Sequence, residues 1–432
     1  MRKLCVCRQL LFLLFLTTSA LAAYPQRTGD SELRRRPDPL YQVSQRKAGQ
    51  MRIGFIDRAG KLVIDFDRLP ETTLAVGEFY EGRAVIYVRK DKNNESRGST
   101  NQIAGYIDKT GAMVITPRFD SARDFSEGLA YVEAQGFKGF IDREGKPVIK
   151  IDDDLTARDF HEGLAAIGGR NPYSPQYWGY IDRTGKLVVE RKYQFADDFS
   201  EGMAGVAVER KYGFINRAGE LVITPRFEVR NGRMYSYLLA SAGRFSEGLA
   251  CVKVYESDMY GYIDKKGEFV IPPRFSNAQE FSEGLAWVVE GGISGVAPKV
   301  GWIDKSGQRV VTKVDGREFS TYPDAHYYTS PSLDWRYSEG LVPFFAIVEN
   351  KPLWGYMDRN GKVVIKPILV YYEAKRVWAA GLPPEGKIVI EPKGHRVNPF
   401  LGGIARIDFY TSVTEPDYGY IDKQGRFIWR SK

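Results

Sequence analysis

A seven-residue pattern recurs nine times in this 432-residue chain and constrains the fold more than any other feature. It reads Gly, an aromatic residue, Ile, Asp, two variable residues and Gly, with Met357 once replacing Ile and Asn216 once replacing Asp. The copies begin at Gly54, Gly105, Gly139, Gly179, Gly213, Gly261, Gly301, Gly355 and Gly419. Self-similarity at a period of about 20 to 50 residues is the signature of small units stacked in an array. A residue type present in every unit is therefore assigned to the architecture before it is assigned to chemistry.

A second segment follows the first and reads aromatic residue, any residue, Glu and Gly, then a short apolar run. Seven copies begin at Phe79, Phe125, Phe160, Phe199, Phe245, Phe281 and Tyr337, and an eighth at Phe400 has lost the Glu. The ninth unit ends at Trp429 without this segment. Because a terminal repeat has no neighbour to cover it, we expect the last unit to be a truncated capping copy.

The two segments are joined by a Pro-x-Phe linker, as in 117–119 and 273–275. In this order the three motifs resemble the WG repeat found in many bacterial proteins. The Trp-Gly pair that gives the family its name is present at Trp178-Gly179 and at Trp354-Gly355. The resemblance extends from Gly54 to Trp429, and it implies a β-rich repeat scaffold, usually without assigned chemistry.

The Asp-x-x-Gly segment is typical of a tight turn between antiparallel strands. The Asp side chain accepts a hydrogen bond from a backbone N–H two residues later, and Gly supplies the positive φ that closes a type I turn with a bulge. In the unit at Gly139 the pattern predicts strands at 139–142 and 146–149. The Leu-Ala-x-Val run predicts a third strand by its period-2 alternation, and a Pro after the second strand makes that strand stop or leave the ladder. Three strands per unit are predicted.

A unit of this size cannot bury a core alone, so neighbouring units must stack and share one. In the third strand, Ala130 and Val132 face one way, whereas Leu129 and Tyr131 face the other. The residue after the small Ala varies between copies, so we expect it to lie on an outer or groove surface. This variable position is occupied by Val85, Tyr131, Ala166, Gly205, Cys251, Trp287, Pro343 and Arg406.

Two all-β architectures satisfy these patterns: an open, superhelical array of about nine meander repeats, and a closed β-propeller-like ring. A ring usually has about four to eight blades of four strands each. Nine starts, three predicted strands per unit and an incomplete last unit favour the open array.

The first residues predict export. Arg2, Lys3 and Arg8 precede an apolar run at 10–16, and small residues follow at 20–22, which together are typical of a secretory signal peptide. An uncleaved anchor is the competing interpretation, but the apolar run is shorter than the roughly 20 residues that span a bilayer. We expect a signal peptide at 1–22, a flexible linker at 23–50 and a repeat domain at 51–432. The mature protein is expected in the periplasm or outside the cell, with no membrane span.

The charge and cysteine content exclude some classes of protein. The net charge is +8, but three of the positive charges are in the signal peptide and the others are mixed with Asp and Glu. No basic stripe of the kind that neutralises a row of phosphates is present, so no nucleic acid partner is expected. After cleavage Cys251 is the remaining cysteine, which excludes a disulfide framework within one chain.

The apparent catalytic groups are better explained as turn residues. The Glu of the second segment and the Asp of the first resemble an acid/base pair, but they recur in almost every unit, whereas catalysis needs one constellation. The three histidines, His161, His326 and His395, have no companion at metal-ligand spacing, and 152–154 lacks the order of a calcium loop. We therefore expect no catalytic, metal or cofactor site and no enzymatic activity.

Specific function is expected in the parts that do not repeat, which are insertions at 93–102, 230–242 and 313–335. Exposed aromatic rings beside carboxylates suit peptides or sugars. Candidate binding residues are Tyr131, Trp287, Tyr322, Asp324, Tyr327, Tyr328 and Trp335. The leading hypothesis is an exported, non-enzymatic scaffold for a protein or cell-envelope polymer. The alternatives are a carbohydrate- or peptidoglycan-binding module and an enzyme that uses Asp324 or His326.

Overall fold

The computed structural model describes residues 39–47, 49–91, 101–169, 177–228, 243–255, 257–291, 299–318, 335–348, 351–368, 396–409 and 417–431. Within these ranges the regular structure consists of antiparallel strands connected by turns, and no helix occurs. The expected all-β tandem array is confirmed. Most of the repeated sheets have four strands rather than three, because a short strand of two to four residues precedes the Glu-Gly turn.

The strands are grouped here into nine sheets, numbered along the chain. Sheet 1 contains β1 (Tyr41–Lys47), β2 (Gln50–Ile56) and β3 (Leu62–Ile64). Sheet 2 contains β4 (Thr73–Val76), β5 (Arg83–Arg89), β6 (Gln102–Asp108) and β7 (Met113–Phe119). Sheet 3 contains β8 (Ser121–Ala122), β9 (Ala130–Ala134), β10 (Phe137–Ile141) and β11 (Pro147–Lys150). Sheets 4 and 5 contain β12 (Leu155–Ala157), β13 (Leu164–Gly169), β14 (Trp178–Asp182), β15 (Leu187–Tyr193); and β16 (Phe195–Ala196), β17 (Met203–Val208), β18 (Lys211–Asn216), β19 (Leu221–Glu228).

Sheets 6 and 7 are hydrogen-bonded into one seven-stranded sheet, because β23 pairs with β22 along its first part and with β24 at its end. They contain β20 (Phe245–Ser246), β21 (Leu249–Val254), β22 (Met259–Ile263), β23 (Phe269–Ala278), β24 (Ala286–Glu290), β25 (Lys299–Ile303) and β26 (Arg309–Val311). A separate hairpin follows, β27 (Lys313–Val314) and β28 (Arg317–Glu318). Sheets 8 and 9 contain β29 (Val342–Val348), β30 (Lys351–Met357), β31 (Val363–Ile368); and β32 (Arg396–Val397), β33 (Ile404–Phe409), β34 (Asp417–Asp422), β35 (Phe427–Arg430).

The Asp-x-x-Gly turns have the predicted chemistry. In sheet 3, Asp142 Oδ1 accepts hydrogen bonds from the N–H groups of Glu144 (3.1 Å) and Lys146 (2.8 Å). Gly145 has φ 81° and donates its N–H to the Asp142 carbonyl at 3.0 Å. The β10–β11 register shifts beside this turn, between Phe140 and Ile141, as expected for a turn with a bulge. The local sequence is therefore sufficient to form this hairpin.

The Pro residues after the turns make the strand leave the ladder without ending it. In sheet 2, Tyr106 pairs with Ile115 and Ala104 with Phe119, and the residues between Ile115 and Phe119 have no pairing partner. Pro117 lies in this gap, where the N–H that it lacks is not required. β7 nevertheless continues to Phe119, so one of the two predicted outcomes, departure from the ladder, is confirmed.

Both faces of a sheet are buried against neighbouring sheets. Ala130 and Val132 of β9 belong to a core cluster shared with sheet 2, whereas Leu129 and Tyr131 belong to a cluster shared with sheet 4. The alternation predicted for this strand is confirmed. The expectation that the variable position lies on an outer or groove surface is wrong, since Tyr131, Cys251 and Trp287 are each 2% exposed. A position can vary and remain buried when its packing partner on the next sheet varies with it.

One aromatic pair recurs at each junction between consecutive sheets. The aromatic residue of the Gly-aromatic-Ile-Asp segment packs against the aromatic residue of the next Glu-Gly segment, with ring centroids 4.8 to 5.8 Å apart. These pairs are Phe55–Phe79, Tyr106–Phe125, Phe140–Phe160, Tyr180–Phe199, Phe214–Phe245, Tyr262–Phe281, Trp302–Tyr337 and Tyr356–Phe400. A ninth pair, Tyr420–Tyr41 at 5.5 Å, joins sheet 9 to sheet 1.

Hydroxyl groups complete this contact between the two ends of the array. Tyr41 donates to the Leu401 carbonyl at 2.6 Å, Tyr420 donates to the Gln42 carbonyl at 2.8 Å, and Tyr418 donates to Ser44 Oγ at 2.9 Å. A buried cluster of residues from sheets 1 and 9 surrounds them. First and last sheets in contact are the arrangement expected for the closed, propeller-like alternative, and not for an array with free ends.

The boundaries of the repeat domain differ from those predicted. β1 lies within the segment predicted as a linker, so the folded part includes Tyr41–Lys47. The last sheet has four strands, whereas sheet 1 has three among the described residues, and the expected truncation of the last unit is therefore wrong. A sequence repeat has no intrinsic starting point, and each sheet combines the Glu-Gly segment of one sequence unit with the Gly-aromatic-Ile-Asp segment of the next. Residues 1–38, with the predicted signal peptide, lie outside the described residues.

Candidate functional site

The strand register divides the connections of every sheet between two ends. In sheet 3, Ala130 pairs with Ile141 beside the Glu-Gly and Asp-x-x-Gly turns, whereas Ala134 pairs with Phe137 at the other end. We call the end that carries the Glu-Gly and Asp-x-x-Gly turns the turn face. We call the other end, with the loop between the second and third strands and the connection to the next sheet, the loop face.

The turn face holds consecutive sheets together. Seven glutamates of the Glu-Gly turns each accept a hydrogen bond from the N–H of the corresponding Gly of the next sheet, at 2.8 to 3.0 Å. These glutamates are Glu81, Glu127, Glu162, Glu201, Glu247, Glu283 and Glu339. Their φ angles lie between 51° and 56°, a left-handed conformation that costs a non-glycine residue about 1 to 2 kcal/mol. The repeated carboxylate therefore has a structural role in every copy, as the sequence predicted.

The exception at sheet 9 follows from its neighbour. Gly402 occupies the Glu position, and a Cβ there would lie 2.5 Å from both Pro39 Cγ and the Tyr41 hydroxyl oxygen. By register, Pro39 stands where the other sheets have the donor Gly, and Pro has no N–H to donate. A glutamate at this position would have neither space nor a hydrogen-bond donor.

A second repeated residue of the turn face is a cation that directly follows the Asp. The residue after the Asp is Arg or Lys in all nine copies, at Arg58, Lys109, Arg143, Arg183, Arg217, Lys265, Lys305, Arg359 and Lys423. Four of them form ion pairs with the Glu of the preceding sheet, at 2.9 to 3.6 Å. The description of this position as variable is wrong. In these four copies the cation stabilises the same carboxylate that accepts the inter-sheet N–H.

Six of the seven long connections join strand ends at the loop face. The segments 92–100, 170–176, 292–298 and 410–416 connect a second strand to a third, whereas 229–242, 319–334 and 369–395 connect one sheet to the next. Of the three predicted insertions, residues 93–100, 230–242 and 319–334 fall in these connections. Residues 313–318 instead form the β27–β28 hairpin, whose Asp315 bonds Gly361 and Val363 at the Asp-x-x-Gly turn of sheet 8. The turns of the turn face, in contrast, keep the same length in each described copy. Because six of the seven long connections meet the sheets at this end, the loop face is the candidate functional site.

Three of the seven predicted binding residues are buried, although exposed rings were expected. Tyr131 and Trp287 are each 2% exposed and Trp335 is 9% exposed. Trp335 packs between Trp287 and Trp354, with centroids 6.0 and 5.8 Å apart. These three predicted residues fill inter-sheet cores and offer no accessible ring face. The other four, Tyr322, Asp324, Tyr327 and Tyr328, lie outside the described residues.

Two exposed tyrosines on the loop face were not singled out from the sequence. Tyr255 lies in the loop of sheet 6 and is 75% exposed, and Tyr177 immediately precedes β14 and is 45% exposed. Both tyrosines flank segments whose length differs from that of the other copies, which is a weak signal for them in the sequence. Their rings are available for contact with a partner.

A buried polar network lies between sheets 4 and 5. Asp197 is 1% exposed, accepts a hydrogen bond from the Tyr212 hydroxyl at 2.5 Å and lies 3.7 Å from Arg158. Burial raises the pKa of Asp197 to about 6, although Arg158 opposes this shift. Gly205 provides the space for Tyr212, because a Cβ there would lie 1.6 Å from the hydroxyl oxygen. The network specifies the packing of this junction and is closed to a ligand.

Other features of the described residues bear on chemistry. Among them, no group of three or more His, Cys, Asp or Glu side chains is placed to hold a metal ion. The thiol of Cys251 is buried. The carboxylates of 152–154 are exposed on a turn, as expected for a solvated acidic segment. The described part of the chain also contains no helix long and apolar enough to cross a membrane.

The fold defines an all-β protein built from tandem repeats, and a family comparison identifies the repeat. The model of the WG containing repeat matches residues 105–136, 139–167, 178–212, 212–229, 260–292 and 354–374. Six segments of the chain therefore match the WG containing repeat, and the resemblance of its sequence motifs is confirmed.

Solved structures resemble this chain only distantly. A eukaryotic initiation factor is 11% identical over 74% of this chain and 84% of its own, with a TM-score of 0.43. An acylaminoacyl peptidase from Pyrococcus horikoshii is 10% identical over 73% of this chain and 48% of its own, with a TM-score of 0.31. Oligopeptidase B from Leishmania major is 9% identical over 93% and 50%, with a TM-score of 0.34. The chain spans about half the length of the two peptidases. No curated protein matches it.

Proposed function

We propose that this protein is an exported, non-enzymatic scaffold that binds a protein partner through its loop face. The observation that carries the proposal is the asymmetry between the two ends of the sheets. At the turn face, seven glutamates accept an N–H from the next sheet, and four of them also pair with a cation of that sheet. At the loop face, strand ends of the same framework are joined by connections that differ in length and sequence. A rigid scaffold with variable loops at one end is a common design for recognition.

The same contacts support the absence of catalysis in the repeated segments. Carboxylates that could serve as acid and base are committed to turns and inter-sheet hydrogen bonds in each described copy. Catalysis would require a separate constellation in the insertions. The absence of catalysis is tested with the variants Asp324→Ala and His326→Ala. If the wild-type protein turns over a substrate and either variant loses this activity, the proposal is contradicted.

The binding proposal is tested by comparing the two faces. A loop-face variant replaces residues 319–334 by a short Gly-Ser linker, and a turn-face variant carries Lys61→Glu and Lys146→Glu, both exposed. Tagged proteins are incubated with a cell-envelope extract, and captured proteins are quantified by mass spectrometry. A partner retained by the turn-face variant and lost by the loop-face variant would support the proposal. Equal capture by wild type and both variants would contradict it for this insertion.

Export is tested independently. N-terminal sequencing of the protein recovered from the periplasm or medium should begin at Ala23, if the signal peptide is cleaved where the small residues predict. Recovery of full-length chain in the cytosol would contradict export.

Carbohydrate binding is the second candidate, favoured by one observation. Tyr255 presents a largely exposed ring on the loop face, and flat rings of this kind stack on sugars as well as on peptides. Pelleting with purified sacculi distinguishes the two. Binding that is lost in Tyr255→Ala and retained in Tyr255→Phe would favour the glycan, and absence of pelleting at low salt would exclude it.

A further inference from the structure

The loop ends of sheets 4 and 5 carry a concentration of exposed cations. Arg191 and Lys192 lie near the end of β15, and Arg210 and Lys211 lie at the β17–β18 connection, with all four side chains exposed. None of the four has an ion-pair partner among the residues that the structure describes. This contrasts with the turn face, where cations pair with the glutamates of neighbouring sheets.

Gln194, which directly follows β15, connects the end of this strand to the β17–β18 turn. Its N–H donates to the Ala207 carbonyl at 2.9 Å, and its side-chain Oε1 accepts the Arg210 N–H at 2.9 Å. The pairing of Trp178 with Tyr193 places Tyr177 beside Gln194 at the same edge. We call the surface formed by Tyr177, Arg191, Lys192, Arg210 and Lys211 the basic patch.

The turn that presents Arg210 is strained. Val208 pairs with Lys211, so Glu209 and Arg210 form a two-residue connection, with φ angles of 48° and 64°. Such turns favour Asn-Gly or Gly because both central residues need positive φ, and the Glu-Gly turns of this protein supply a Gly. Two consecutive non-glycine residues in this conformation are unfavourable. An outlier of this kind at an exposed charged turn points to a use for its side chains.

We propose that the basic patch is a docking surface for an acidic segment of a protein partner. The proposal rests on the proposed function, because it assigns partner chemistry to one region of the loop face. Four cations without ion pairs attract carboxylates, and the guanidinium groups of Arg191 and Arg210 can bind them in bidentate geometry. Tyr177 adds an exposed ring at the edge.

The charge pattern favours a protein over a uniformly anionic polymer. Glu190 and Glu209 are exposed within the same two segments. A sulfated glycan or a nucleic acid is negatively charged at every unit, so the part of it that lies beside these glutamates would be repelled. A protein segment of mixed composition places its carboxylates opposite the cations and its uncharged residues opposite these glutamates.

The test uses the mature full-length protein and a fluorescein-labelled Glu-rich peptide, with anisotropy as the readout. The patch variant carries Arg210→Glu and Lys211→Glu, and a gentler variant carries Arg210→Asn and Lys211→Gln, because Asn tolerates the left-handed turn. The control is the turn-face variant Lys61→Glu and Lys146→Glu, which has the same change in net charge. Unchanged thermal unfolding midpoints verify that each variant folds.

The proposal predicts binding to wild type and control at about 50 mM NaCl and weaker binding at about 300 mM. Both patch variants should bind at least about tenfold more weakly, with the larger loss for charge reversal. Equal binding by patch variant and control, or no binding to wild type at low salt, would overturn the proposal. Heparin binding through the patch without peptide binding would overturn the assignment of a protein partner. If only the peptide assays fail and the loop-face variant still loses its envelope partner, the scaffold function stands and the patch is refuted.

Discussion

The inter-sheet contact of Glu127 sets two effects of similar size against each other. Its carboxylate accepts the Gly163 N–H of the next sheet at 2.8 Å, and hydrogen bonds to charged groups contribute about 1.5 to 3 kcal/mol. Its backbone has φ 53°, which costs about 1 to 2 kcal/mol relative to Gly. Substitutions at this position can remove the bond, the strain or both.

Three substitutions separate the two effects. Glu127→Ala loses the carboxylate and keeps the strain, so we expect it to destabilise the protein by about 1.5 to 3 kcal/mol. Glu127→Gly loses the carboxylate and relieves the strain, which leaves a loss of about 0.5 to 1 kcal/mol. Glu127→Gln keeps an acceptor oxygen without its charge and should cost about 0.5 to 1 kcal/mol. Glu144→Ala is the matched control, because Glu144 is an exposed residue of the neighbouring turn in the same sheet.

The measurements are urea unfolding midpoints and amide exchange at Gly163. Exchange at this amide should accelerate in Glu127→Ala and Glu127→Gly and remain slow in Glu127→Gln and Glu144→Ala. Equal losses for Ala and Gly would refute the contribution of backbone strain. A Gly variant more stable than wild type would show that the carboxylate contact contributes less than the strain costs, and it would refute the inter-sheet role assigned to these glutamates.

Three further predictions concern the sheet junctions. The pKa of Asp197 is raised to about 6 from an ordinary 3.8, so between about pH 4 and pH 6 the folded state holds a proton that the unfolded chain has lost, and stability falls as pH rises through this window by up to about 3 kcal/mol. Asp197→Asn should abolish this component, measured as the difference between urea midpoints at about pH 4.5 and pH 7.5, and an unchanged difference would contradict the assignment. Gly205→Ala should destabilise the protein by about 3 kcal/mol, because its Cβ would overlap the Tyr212 hydroxyl. The control Gly136→Ala lies at a left-handed turn with open space and should cost about 1 kcal/mol. Similar urea midpoints for the two variants would contradict the packing argument. Tyr420→Phe removes the hydrogen bond to sheet 1 and should destabilise the protein by about 1 kcal/mol. Amide exchange should accelerate more in β1 and β34 than at the junction of sheets 4 and 5. Equal acceleration at both places would contradict a local contact between sheets 9 and 1.

The turns could be predicted from the sequence because their chemistry is local. Asp142 contacts N–H groups two and four residues later, so the residues that form the turn are all visible in one short segment. The same holds for the alternation of Ala130 and Val132 with Leu129 and Tyr131, which follows from strand geometry. The structural role of the repeated Glu could be inferred from its recurrence, although its acceptor contact with the next sheet could not.

The candidate site was only partly accessible to the same reasoning. Insertions could be located by comparing copies, but their common position on one face depends on which strands pair. The residues of the basic patch come from two sheets, and the bond between Gln194 and the Arg210 N–H, which joins the two segments, is not visible in the sequence. The burial of Trp287 was missed for a related reason, since a variable residue looks exposed until the neighbouring sheet that covers it is known.

The sequence by itself determined the repeat, the strand-forming segments and the turns, since each depends on residues within a few positions of one another. The tertiary structure alone decided how the strands are grouped into sheets, which end of the sheets carries the variable connections, and how the two ends of the array meet. Tyr420 reaches the carbonyl of Gln42 across 378 residues of sequence. Such a contact depends on the rotation accumulated over all of the sheets between them, and no local pattern records that sum.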